Sequence, residues 1–183
     1  MTSDSELLES VLGKTTALIA GVRPDQAHLP TPCTDYDVEQ VVAHQVGWAS
    51  KFAAQLTDQP FEGDPNAFQP GPEPAAEFGR AASVIVAAYQ RGGEAAERVP
   101  LRLLLMEYLT HGWDVAVATG QPVPYTSDEA EPALAMAQGM LKPEYRGPGK
   151  AFGYEAEVAE SAGTVDRLIA CSGRSPDWAP SSG

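Results

Sequence analysis

The chain contains three histidines, and two of them, His44 and His111, stand in strongly apolar stretches. Glu107 precedes His111 by four residues, so in a helix the two side chains lie one above the other on the same face. At about 100° per residue, Leu104, Tyr108 and Val115 share that side, which points both polar groups at the helix-bundle interior or its edge. A carboxylate set among leucines costs several kcal/mol unless it is paired or bound to a cation. Two imidazoles and one carboxylate form a donor set for a divalent ion, zinc first, with nickel and ferrous iron also suited. The same residues allow another arrangement. Glu107 could pair with His111 or Arg102, and His44 could be an edge histidine bonded to backbone.

Other groups near these positions bear on the chemistry. Asp114 follows His111 by three residues and could hold the far imidazole nitrogen, or simply be solvated. Trp48 lies one turn beyond His44 and could wall a pocket or pack in the core. Arg80 could meet a carboxylate-bearing ligand or a surface partner. Trp113 points away by helical phase, toward core or an interface. Cys33 is flanked by proline and has no basic neighbour, which makes it a poor nucleophile. His28 reads as a surface residue. Gly147-Pro148-Gly149-Lys150 is no phosphate loop, since Glu144 takes the first glycine's place and Ala151 follows the lysine. No Gly-x-Ser-x-Gly elbow occurs, so serine hydrolase chemistry lacks support.

The elements that must position these residues read as helices. Leu7, Leu8, Val11, Leu12, Leu18 and Ile19 fall at helical spacing over about Glu6–Ala20, with Ser5 or Asp4 available as a cap. Asp37 caps a second helix, with Gln40 three residues on completing a capping box. A third helix is expected over Ala75–Arg91, ended by Gly92-Gly93, and a fourth over Leu101–Thr119, stopped by Gly120. The fourth is apolar nearly all round, as a buried central helix must be. Two shorter helices are expected over Asp128–Leu141 and Ala162–Ser172. Residues 59–74 hold five prolines and two glycines and read as loop; residues 173–183 read as a C-terminal tail. Strand alternation is sparse. The expected fold is therefore all-α, an antiparallel four-helix bundle with additional short C-terminal helices, in a single domain over residues 1–183.

Composition narrows the function classes. Apolar residues make up 43% and charged residues 20%, a globular balance. The formal net charge is −13, and the twelve basic residues form no stripe, which disfavours nucleic acid and anionic membrane. No run reaches the roughly 18 apolar residues of a membrane helix. The polar, acidic N-terminus lacks the features of a signal peptide. Cys33 and Cys171 read as free thiols in a reducing compartment, so a cytoplasmic location is expected.

A family resemblance adds to these readings. Thr31-Pro32-Cys33-Thr34-Asp35-Tyr36-Asp37-Val38, followed by Val41-Val42-Ala43-His44, resembles the opening of the mycothiol-dependent maleylpyruvate isomerase N-terminal domain, an actinobacterial family within the wider DinB-like superfamily. Glu107-Tyr108-Leu109-Thr110-His111-Gly112-Trp113-Asp114, running on to Ala118-Thr119-Gly120, is similar to that family's second metal motif. Gly173-Arg174-Ser175-Pro176-Asp177-Trp178 is similar to its C-terminal signature. Tyr36 stands where tryptophan is frequent, and from its length the chain is expected not to include the additional C-terminal domain of the true isomerase. The resemblance implies a DinB-like four-helix bundle binding zinc or a similar ion through His44, Glu107 and His111.

Three protein ligands leave one position open, the mark of a catalytic rather than a structural zinc. The resemblance implies that a low-molecular-weight thiol, mycothiol, would take that position as a co-substrate. Its thiolate would then attack an electrophile in S-transfer or thiol-assisted isomerisation. Metal-activated water in a hydrolase or lyase, or a metal that only braces a binding protein, are the other two readings. The apolar outer side of the fourth helix leaves a homodimer open.

Overall fold

A computed structural model describes residues 3–148, 150 and 152–180. Its helices are α1 (Asp4–Ala20), α2 (Val38–Leu56), α3 (Pro74–Arg91), α4 (Glu94–Glu97), α5 (Leu101–Thr119), α6 (Ser127–Met140) and α7 (Thr164–Cys171). No strand occurs among the described residues, only isolated bridges joining Pro30 to Asp37 and Arg146 to Phe152. The all-α expectation is met.

Local sequence explains most of the boundaries. Asp37 accepts from the Gln40 amide while the Gln40 side chain accepts from the Asp37 amide, the reciprocal box that starts α2. α1 opens two residues earlier than expected because Ser3 forms the corresponding box with Glu6. Thr126 and Glu129 do the same for α6. Pro74 sits in the first turn of α3, where its missing N–H costs nothing. Gly120 ends α5 at φ 70°, a left-handed turn that suits glycine. The loop over residues 59–74 contains a 3₁₀ turn at Pro65–Ala67, and the one-turn α4 has no counterpart in the sequence expectations.

Four helices close a ring in which α1 packs on α3, α3 on α2, α2 on α5, and α5 back on α1. α6 covers another side of α5, and α7 packs on α6. α5 is therefore enclosed, with Leu104, Leu105, Tyr108, Val115 and Ala116 all fully buried. Leu8, Val11, Val41, Val46, Phe78 and Ile85 fill the interior from α1, α2 and α3. No helix of the described residues is long and apolar enough to cross a membrane.

Candidate metal centre

The ring brings α2 and α5 side by side, and residues 63 apart in sequence meet across the seam. His44 Nε2 lies 2.8 Å from Glu107 Oε1, and His111 Nε2 lies 3.7 Å from the same oxygen. The two imidazole rings are 4.7 Å apart, edge to face. One ligand atom from each of His44, Glu107 and His111 falls within 4.8 Å of the others. All three side chains are mostly buried, at 11%, 18% and 12% exposure. Burial alone would raise the Glu107 carboxyl; the charges of His111, the hydrogen bond from His44 and the more distant Arg174 outweigh it and hold it below its ordinary value.

These residues face a cavity of about 500 Å³ that Cys33, Asp35, Tyr36, Trp48, Asn66, Met106, Thr110, Phe152, Ser172 and Arg174 also line. Its size suits a small molecule. Trp48 is in the wall, its indole donating to Asn66 Oδ1 at 3.0 Å. Tyr36 stands 5.4 Å from the His44 ring. Thr110 is buried, yet its hydroxyl has no partner among the described residues.

Asp114 is fully buried, which removes the solvated reading. Its Oδ2 lies 3.0 Å from His111 Nδ1. Arg174 forks onto both oxygens, Nε to Oδ1 and Nη2 to Oδ2, each at 2.8 Å. Burial opposes ionisation of Asp114, but the Arg174 charge and the bond from His111 hold its carboxyl below the ordinary value.

Other sequence candidates fall elsewhere. Arg80 is exposed and lines a shallow depression between α2 and α3 with Ser50 and Glu77, away from this cavity. Helical spacing sets Arg80 on α3 but does not set which neighbour that side of the helix meets. Trp113 is buried in the core. His28 is exposed beside Asp37, whose hydrogen bond and charge raise its pKa. Cys33 and Cys171 are free thiols. Cys33 reaches the cavity, where burial pushes its thiol up to about 11, in keeping with a poor nucleophile. Of the glycine-rich Gly147–Lys150 stretch, Gly149 lies outside the described residues, as does Ala151. Arg174 is the residue whose role sequence reasoning missed: it stands within the C-terminal signature, in a segment expected to be a tail, yet it is only 8% exposed. An arginine next to a serine-proline pair gives no local sign of burial.

Comparison with known proteins places the chain. The profile of the mycothiol maleylpyruvate isomerase N-terminal domain family matches residues 8–116, which include His44, Glu107 and His111. The chain belongs to this family. Two relatives of this chain are proteins of Mycobacterium tuberculosis, from strains CDC 1551 / Oshkosh and ATCC 25618 / H37Rv, both described as uncharacterized. Each is 34% identical over 164 residues, spanning 86% of this chain and 90% of its own length. No solved structure matches the chain.

The donor set fits a divalent ion. Two imidazoles and a carboxylate are a recurrent three-ligand set for zinc, and the hydrogen bond to Glu107 leaves His44 half satisfied, its Nδ1 buried without a partner among the described residues.

Proposed function

We propose that His44, Glu107 and His111 hold a divalent ion, zinc first, and that this family member activates a low-molecular-weight thiol, mycothiol, for attack on an electrophile. The convergence of the three ligand groups within 4.8 Å, at the wall of a cavity large enough for a thiol, carries this reading. The family's association with mycothiol maleylpyruvate isomerase supports the choice of thiol.

When bound, such an ion supplies a Lewis-acid centre with an open position at which a thiol ionises readily. The protein's own groups prepare for that. Glu107 brings one negative charge between the two imidazoles, while Asp114 and Arg174 cancel each other. With neutral imidazoles the five groups sum to −1, so a divalent ion and one thiolate together neutralise the site. Tyr36, Trp48, Met106 and Phe152 give the cavity apolar walls that limit water around a developing thiolate. The Thr110 hydroxyl, placed one turn from Glu107 on α5, is available to a ligand.

Metal analysis of the wild type and His44→Ala, coupled to conjugation of mycothiol with a generic electrophile, tests the reading. The wild type is expected to carry about one ion per chain and to conjugate thiol, and His44→Ala to lose both. Unchanged metal content in the variant would sink the site. Normal metal content in the wild type without thiol-dependent turnover would sink the transferase reading and leave activated water or a bracing metal.

A further inference from the structure

Arg174 lies beyond the stretch matched by the family profile, which ends at residue 116. The chain reaches it through Gly173, whose φ of 86° reverses direction after α7. The Gly173 and Arg174 amides return to the Ala170 and Ile169 carbonyls at 2.9 and 3.1 Å. Gly173 also packs backbone to backbone against Gly153, where a Cβ would collide. This turn aims the guanidinium back across the bundle to α5, 60 residues away in sequence.

The hydrogen-bond roles there have one solution. Arginine only donates. Its Nε and Nη2 therefore require acceptors, and the two Asp114 oxygens serve, each at 2.8 Å. A carboxylate so engaged only accepts, so His111 Nδ1, 3.0 Å from Oδ2, must carry a proton and donate it. In its neutral form a ring protonated on Nδ1 keeps its lone pair on Nε2. That nitrogen sits 3.7 Å from Glu107 Oε1, too far to be donating a hydrogen bond to it.

We propose that Arg174 is a positioning residue of the metal centre: through Asp114 it locks His111 in the Nδ1–H form with Nε2 free to ligate, making the segment after α7 part of the site. The inference rests on the reading of His111 as a ligand, and it adds a requirement outside the matched family region. Partners of a ligating histidine commonly change metal affinity by about 10–100-fold when removed.

The test uses the full chain with three variants. Arg174→Met removes the fork but strands a buried carboxylate. Arg174→Lys keeps the charge and loses the two-pronged geometry, so it shares a cation's general stabilising role without the lock. Asp114→Asn retains the shape, and with its oxygen held by Arg174 its amide would donate to His111 and force the opposite tautomer. Long-range proton–nitrogen NMR of the metal-free protein reads the His111 tautomer directly. Competition with a chromophoric chelator reads zinc and cobalt affinity.

The wild type should show the Nδ1–H form, Asp114→Asn the Nε2–H form, and Arg174→Lys a mixture. Zinc and cobalt affinity should fall at least tenfold in Arg174→Lys and Asp114→Asn, with apo melting temperatures showing both folded. A folded Arg174→Lys with wild-type tautomer and affinity would overturn the inference, because a simple ion pair is satisfied by lysine. Loss of metal in His44→Ala alongside that result would spare the proposed function. Unchanged metal content in both His44→Ala and His111→Ala would remove the proposed function first.

Discussion

Two threonines in the same interior carry opposite hydrogen-bond balances, and the contrast bears on the site. Thr15 Oγ1 donates to the Val11 carbonyl at 2.9 Å and meets the Tyr125 hydroxyl at 2.9 Å. Thr110 Oγ1 is buried with no partner among the described residues, despite a helix that offers a carbonyl one turn back. A buried hydroxyl without a partner loses its hydration and gains nothing, whereas deleting a bonded one leaves its partners short. Thr15→Val should therefore cost about 1–2 kcal/mol, and Thr110→Val should leave stability unchanged or slightly raised. Urea unfolding of both variants decides this. A loss in Thr110→Val equal to that of Thr15→Val would mean that Thr110 has an internal partner and is not held ready for a ligand.

At the scale of elements, the helices were legible because their ends are written locally. The Asp37–Gln40 box and the Pro100-to-Gly120 frame lie within a few residues of the boundaries they set, so α2 and α5 fall where their sequences place them. The position of a loop against a helix is written in no such code. Gly47 in α2 looks like a weak helix residue, yet a Cβ there would overlap the Pro65 carbonyl oxygen and the Phe68 side chain. That close approach brings the turn carrying Asn66 onto α2, where Asn66 receives the Trp48 indole and helps wall the cavity. Gly47→Ala should gain up to about 1 kcal/mol in helix propensity and lose about 1–3 kcal/mol to the clash with backbone that cannot rotate away. Thermal melts should show net destabilisation; a more stable variant would mean that the loop does not rest on Gly47.

α6 is pinned to α1 by one carboxylate. Glu129 closes its own capping box with the Thr126 amide and also receives Lys14 at 2.7 Å and Ser10 at 2.6 Å. Burial would raise its pKa, but Lys14, Ser10 and the Thr126 amide together lower it below 4.5. A lowered folded pKa makes the charged form the stabilising one. The contribution is complete above about pH 5 and disappears as pH falls through 4.5 toward the folded value. Glu129→Gln should lower the urea midpoint at neutral pH and flatten its decline between about pH 5 and 3. An acid limb as steep as that of the wild type would assign the acid sensitivity to other carboxylates.

At the scale of the molecule, helix phase could set Glu107 and His111 on one face because both lie on α5, but neither His44 nor Arg174 could be joined to them by spacing. Those contacts span 63 and 60 residues and depend on how α2 and the segment after α7 close around α5. The family resemblance supplied His44, and only the folded chain supplies Arg174. A site assembled from α2 and α5 ties together two neighbours in the helix ring, and ligands that bind only the folded ring stabilise it by mass action. Zinc at about 100 times its dissociation constant should add about 2.7 kcal/mol, a rise of roughly 5–10 °C in melting temperature for a chain of this size. The rise should vanish with chelator and in His44→Ala, whose ring of helices lacks one of the two joined sides. It should survive in Arg80→Ala, since Arg80 lines a separate surface. An equal zinc-dependent rise in His44→Ala would mean that the ion binds outside the α2–α5 seam, where the exposed carboxylates of an acidic surface could take it up.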